Sequence, residues 1–246
     1  RNIWIIARRE YDQYFASPVA YMIMFVIYLV IGIFFYLNMS FAFVQTQYAP
    51  TVQIILAPLA TMLVLAVPAI TTRLLAEERR LGTIELLLTA PVRDWELVIG
   101  KWLGAFLLVV TILGFSLIYP ILLNNLVDPG IDQGMLLTGY LGLFLLAAVF
   151  TAVGVFVSSL FSNQIAAFAT TMGALIFLWW VINPIAQVLG QTSPVGRFFS
   201  FIDISDHFFN NFLSGVVDLT QLVYALSLTA LALFGASMVL EVRRWR

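Results

Sequence analysis

Between Gln13 and Thr72 the chain carries no charged residue. Glu77, Glu78, Arg79, Arg80, Glu85, Arg93, Asp94, Glu96 and Lys101 then crowd into one interior stretch, AEERRLGTIELLLTAPVRDWELVIGKW. Apolar runs recur along the sequence, and six are long enough to cross a hydrocarbon core, which needs roughly 20 apolar helical residues. They run from about Val19 to Leu37, Ile54 to Thr72, Trp102 to Leu123, Leu136 to Leu160, Ile165 to Ile182 and Leu222 to Leu240. Runs such as YLGLFLLAAVFTAVGVFV lack the alternation of a barrel strand. The pattern therefore predicts helices that close their own backbone hydrogen bonds. Pro58, Pro68 and Pro120 lie inside or near the ends of these spans and predict kinks or local unwinding.

The segments between the spans differ in character. In residues 1–17, Ile3, Ile6 and Tyr14 share one helical face with Trp4 and Tyr11 at its edges, while Arg8, Arg9 and Asp12 lie elsewhere. That spacing predicts an interfacial amphipathic helix rather than a plain charged flank. Ser17 and Pro18 mark its end and the start of the first span. SSLFSNQ, between the fourth and fifth spans, leaves room for a tight hairpin only. Residues 183–218 are too broken to span. There Phe198, Phe199, Phe201, Phe208, Phe209 and Phe212 mix with Asp203, Asp206 and Asn210, which predicts short helices half sunk in the outer leaflet. The expected fold is an all-α integral membrane domain over residues 1–246: six transmembrane helices, an N-terminal interfacial helix and these outer helices.

Composition agrees. The chain is 62% hydrophobic and 10% charged, with mean hydropathy +0.99, too few charges to cover a water-soluble surface. With six spans both termini share a side, and eleven of the twelve Lys and Arg fall there, with Arg197 opposite. The positive-inside rule makes that side the cytoplasm of a multi-pass plasma (inner) membrane protein. Trp4, Trp95, Trp102 and Trp245 fall near the same boundary, as an aromatic belt would. Cysteine is absent, which removes disulfides and thiolate metal sites. No cleavable signal peptide is evident, because the first apolar run is long enough to span.

Catalytic chemistry finds no support. The sequence has no P-loop, no HExxH, no GxSxG and, inside the predicted spans, no Asp, Glu or Lys. A proton-driven carrier is disfavoured for the same reason. His207, the single histidine, is read as an interfacial polar residue without a role. No catalytic residue, metal or cofactor is expected in this chain, and nothing points to nucleic acid. Gly100 and Gly104 have the spacing that allows close helix approach, either between subunits or within one. Thr61, Thr71, Thr111, Ser116, Thr151, Thr170 and Thr171 either line a path or bond their own backbones, the commoner case in membrane helices.

The charged stretch has its own order. Gly82 breaks the helix that extends from the second span, Thr83 caps a new short helix, Glu85 sits near its positive end, and Pro91 ends or restarts it. Such a helix would turn Ile84, Leu86, Leu87 and Leu88 in part toward something apolar. A plain cytoplasmic loop would explain the arginines but not the acids among them, since acids contribute little to topology.

EERRLGTIELLLTAPVRDWELVIGKWLG, following LAVPAITTRLLA, resembles the signature of ABC-2 type permeases. In particular it resembles that of the gliding-motility-associated (Gld-type) permeases and their relatives near the nitrous-oxide-reductase maturation permease. SPVAYMIMFVIYLVIGIFF and GLFLLAAVFTAVGVFVSSLFSNQIAAF extend the resemblance over most of the chain, and the part before the sixth span matches least. The resemblance implies a permease dimer, homomeric or paired with a second permease, with two ABC ATP-binding subunits beneath it. ATP and Mg would sit on those partners. It makes residues 73–101 the coupling region, with a coupling helix between the second and third spans. Its contacts with the ATPase would be Glu77, Glu78, Arg79, Gly82, Thr83, Glu85 and Leu86, joined by Arg8, Arg9 and Glu10 of the N-terminal helix. It likens the outer segment to re-entrant helices that close the outer mouth, and it admits an extracytoplasmic accessory protein.

The function expected from the resemblance is a permease that couples ATP hydrolysis in a partner to export or to mechanical transduction. A non-transporting scaffold or assembly subunit is the runner-up. A lipid-modifying membrane enzyme comes third, because only the outer aspartates and His207 offer it polar groups.

Overall fold

A computed structural model describes residues 2–44, 50–80, 82, 93–190 and 192–244, and every regular element among them is helical. The predicted coupling helix, including Thr83, Glu85 and Leu86, lies outside the described residues. Among the described residues six helical stretches are long and apolar enough to cross a membrane: Pro18–Ala42, Gln53–Arg80, Asp94–Leu126, Gln133–Leu160, Gln164–Leu189 and Leu219–Val242. The chain is an all-α, multi-pass membrane protein.

Before the first span comes α1 (Asn2–Ala16), followed by α2 (Pro18–Val44). Ser17 separates them, and its hydroxyl accepts from the Val19 amide at 3.4 Å. The second span is α3 (Gln53–Thr71) and a short α4 (Ala76–Arg80). Pro58 and Pro68 both sit inside α3 without ending it, and the break comes after Thr71. The third span is α5 (Asp94–Ser116) and α6 (Ile118–Leu126). Here proline does break the helix. Pro120 lacks an N–H for the Ser116 carbonyl and its ring crowds that oxygen, so the chain steps at Leu117.

The centre of the bundle is α7 (Gln133–Leu160), flanked by α3, α5, α8 (Gln164–Ile176) and α12 (Leu219–Arg244). Small residues allow this. A Cβ on Gly154 would strike Thr71, and one on Gly139 would strike Leu56, so α3 approaches its backbone directly. In the most apolar window of α7, 78% of residues are buried, against 17% in α2, which leaves Phe25, Phe34 and Tyr36 on the outside. The hairpin from α7 to α8 is as short as expected, with the Asn163 side chain accepting from the Ile165 amide at 2.9 Å.

The fifth span is longer than the sequence indicates. After α8 a π-helical turn (Phe177–Val181) carries the chain into α9 (Ile182–Leu189), and Gly190 at φ +71° ends it. The first part of the predicted outer segment is therefore helix continuous with the span, since INPIAQVL retains an apolar face. The remainder forms α10 (Pro194–Ile202), α11 (Ile204–Asn210) and a 3-10 turn (Phe212–Ser214). Phe208 and Phe212 press on α7 where Gly142 has no side chain, and Trp179 packs against Phe150, Phe208 and Phe209.

Candidate functional site

Helix α1 runs beside the first half of α5, pointing the same way. Asn2 Nδ2 donates to the Glu96 carboxylate at 3.5 Å, and Tyr11 Oη meets Thr111 Oγ1 at 3.0 Å. Between them, a Cβ on Gly100 would lie 2.7 Å from Ile6 Cβ, and one on Gly104 would lie 2.6 Å from Glu10 Cβ. The two glycines thus serve packing within the subunit, and their missing side chains make the groove that seats α1. The third span has 33 residues, about 50 Å of helix, so its first turns extend beyond a hydrocarbon core of about 30 Å.

That geometry buries a charge cluster at the junction of three elements. Lys101, 1% exposed, donates through Nζ to Glu10 Oε1 of α1 at 2.6 Å and to Glu78 Oε1 of α4 at 2.7 Å. An ammonium withdrawn from water needs such partners, and two carboxylates supply charge and hydrogen bonds together. Tyr14, one turn beyond Glu10, donates to the Ile70 carbonyl near the end of α3 at 2.7 Å. Burial pushes its phenol above the ordinary value, with the Glu10 carboxylate adding to the rise, so the hydroxyl stays a donor.

A second device fixes the joint between α3 and α4. Ser158 Oγ, on α7, accepts from the amides of Leu75 at 3.2 Å and Ala76 at 3.1 Å, and donates to the Thr72 carbonyl at 3.1 Å. The buried amide donors at the start of α4 and a carbonyl at the end of α3 are thus satisfied by one hydroxyl from another helix. Arg79 Nη1 donates to the Phe161 carbonyl at 3.4 Å, tying α4 to the hairpin between α7 and α8. Gly82 follows at φ +70°, a conformation that suits glycine, and its amide donates to the Arg79 carbonyl at 3.2 Å.

The structure thus brings Glu78, Arg79 and Gly82 to one junction and leaves Glu77 on the same short helix, partly exposed. Arg8 and Arg9 stand on the exposed side of α1 with Trp4 and Ile5, Arg8 facing Asp12 at 3.8 Å and Arg9 close enough to Glu78 for its charge to act on that carboxylate. Glu10, grouped with them by the resemblance, instead turns inward to Lys101 and offers nothing to an outside partner. The buried face of α1 is Ala7, Glu10 and Tyr14, with Ile3 and Ile6 partly buried on the same side, so the expected face is the one that packs inward. In the sequence Lys101 counts only among the basic residues of residues 73–101. Its signal was its position between Gly100 and Trp102, inside a helix that was already apolar on both sides. Ser158 carried no signal, because a serine in a membrane helix is more often bonded to its own backbone. Thr71, Thr111, Ser116, Thr151 and Thr171 all do this.

No group of three or more metal-ligating side chains occurs among the described residues. His207 Nε2 contacts the Phe201 carbonyl at 2.9 Å and its ring packs on Tyr224. At the junction α1, α4 and α5 share one ion cluster, which ties the N-terminal helix and the end of the second span to the third.

A family model described as ABC-2 family transporter protein matches residues 4–240. No curated protein matches the chain.

Proposed function

The chain belongs to the ABC-2 transporter family, and from that membership we propose that it is a permease subunit that turns ATP hydrolysis in a separate ATP-binding subunit into export or mechanical transduction. Permeases of this family work with an ATP-binding subunit. In our reading two copies of it bind beneath a permease dimer, carrying ATP and Mg, and α1 and α4 lie on the cytoplasmic side with both termini. Residues Glu77, Glu78, Arg79, Gly82, Thr83, Glu85 and Leu86 form the contact, with Arg8 and Arg9 as a second one. Within the family, our reading places the chain in the Gld-type branch, which it resembles in overall pattern rather than in one motif.

The observation that carries the reading is the junction of Lys101, Glu10 and Glu78 with the Ser158-held joint. It ties the stretch leading to Gly82 directly to the third span, as a transmission element requires. The short helices α10 and α11 suit closure of the outer mouth, with Phe208 of α11 and Phe212 of the following turn seated on α7 at Gly142.

The test is co-purification from membranes with a tagged ABC ATP-binding subunit, comparing the unaltered chain with Glu85→Arg, Leu87→Pro and Arg8→Glu. Loss of the ATPase in the first two variants, with intact permease in the membrane, supports the coupling reading. An unaltered chain that captures no ATPase, or variants that keep it fully, would overturn it and favour the scaffold.

A further inference from the structure

An open groove of about 250 Å³ runs between the first two spans, lined by Met22 and Val26 of α2 and by Met62, Leu65, Ala66 and Ala69 of α3. The α3 members recur every three or four residues, so they form one stripe along the helix. Leu65, Met22 and Val26 are exposed, so the groove opens outward to the hydrocarbon rather than into the bundle. Aliphatic side chains with two flexible methionines and two small alanines leave an irregular apolar trough.

Its end is chemically different. Arg73, four residues beyond Ala69 in the turn that follows α3, reaches the start of α2. Its Nη1 donates to Ser17 Oγ at 3.5 Å, and its guanidinium carbon lies 4.3 Å from the centroid of the Tyr14 ring. No carboxylate of the described residues pairs with it. Tyr14 holds the guanidinium by its face, and a guanidinium has five donors, more than Ser17 and Tyr14 engage. A cation fixed at the mouth of an apolar trough, at the level where spans leave the hydrocarbon, complements a molecule with a hydrocarbon tail and an anionic phosphate.

The geometry points to this groove as a binding site for an anionic phospholipid, with an acyl chain along Met22, Ala66 and Ala69 and the phosphate on Arg73. The site lies on the opposite side of α3 from α7 and does not depend on any ATP-binding partner. A bound lipid there bridges α2, the least buried span, to the turn that leads into α4.

The test reconstitutes the full chain in vesicles of equal phosphatidylglycerol and phosphatidylcholine, extracts it in mild detergent and counts retained lipids by native mass spectrometry. The unaltered chain should retain phosphatidylglycerol over phosphatidylcholine by about fivefold, the increment of one basic residue at a membrane surface. Arg73→Gln should abolish the preference, and Ala69→Phe, which fills the trough, should remove retention of both lipids. Both variants should keep the elution profile of the unaltered chain, and Ala69→Phe keeps the test valid if loss of the Tyr14 contact disturbs folding. An unaltered chain without preference, or an Ala69→Phe variant that retains phosphatidylglycerol, would overturn the assignment. So would an Ala69→Phe variant that changes oligomeric state but not lipid content, since the groove would then hold a second copy of the chain.

Discussion

Lys101 and Glu10 lie 91 positions apart in sequence and meet at 2.6 Å, with Glu78 completing the cluster at 2.7 Å on the same ammonium. Removing the cation leaves two carboxylates buried without it. Breaking a buried pair in this way costs about 3–5 kcal/mol. Lys101→Met should therefore lower the thermal unfolding midpoint in detergent by about 10 °C. The triple variant Lys101→Met, Glu10→Gln, Glu78→Gln should recover part of that loss, because neutral side chains carry a smaller desolvation penalty. A single variant as stable as the unaltered chain would remove the cluster from the account.

Gly104 gives a second prediction, separable from the first. Its missing side chain admits Glu10 and the Ala7 carbonyl, so Gly104→Leu should lift α1 from α5 and increase protease cleavage within residues 2–16. Oligomeric state, read by light scattering in detergent, should not change, because the glycine pair faces this subunit's own helix. A shift to a smaller assembly would place the pair between subunits instead.

Ser158→Ala should loosen the joint between α3 and α4 without unfolding the bundle. Three buried backbone groups lose their shared partner, at a cost of about 1–3 kcal/mol. Hydrogen exchange at Leu75 and Ala76 should accelerate by at least about tenfold, while the core of α7 stays protected. Unchanged exchange at those two amides would show that the joint holds without the serine.

At the opposite end, Asp203 is buried and fully committed. Its Oδ1 accepts from the Ser205 amide at 3.1 Å, the Ser205 hydroxyl at 2.7 Å and the Asp206 amide at 3.2 Å, while Oδ2 accepts from Asn183 Nδ2 at 2.7 Å. It caps α11 and links it to α9. Asp203→Ala should cost about 1–2 kcal/mol and open the outer helices to proteolysis between Ile202 and Asn211, whereas Ser214→Ala should leave them resistant. Equal protection of the two variants would contradict the capping role.

The spans were readable because hydropathy over some 20 residues is a local property, which the bilayer imposes on each helix separately. The ends at Ser17 and Pro18, the short hairpin at Asn163 and the helix break at Gly82 were readable for a similar reason, since caps and positive φ depend on one or two residues. The same local rules misjudged the extent of the fifth span, where an apolar face persisted past Ile182 to Leu189. They could not say that Pro68 would leave its helix intact while Pro120 interrupted the third span, an outcome set by neighbours that re-satisfy the backbone.

Charge was the deeper limit. In the sequence Glu10 and Glu78 are expected contacts of a partner and Lys101 one of the cytoplasmic basic residues, and such a charge looks the same whether it faces water, a partner or another helix. Their burial was decided when α1 settled on Gly100 and Gly104 and brought Glu10 to Lys101. The sequence alone determined a six-span helical membrane domain with its charge concentrated before the third span, because those features follow from transfer free energy along the chain. The tertiary structure alone decided which charges became an internal joint, because pairing energy depends on distances between helices that no local pattern encodes.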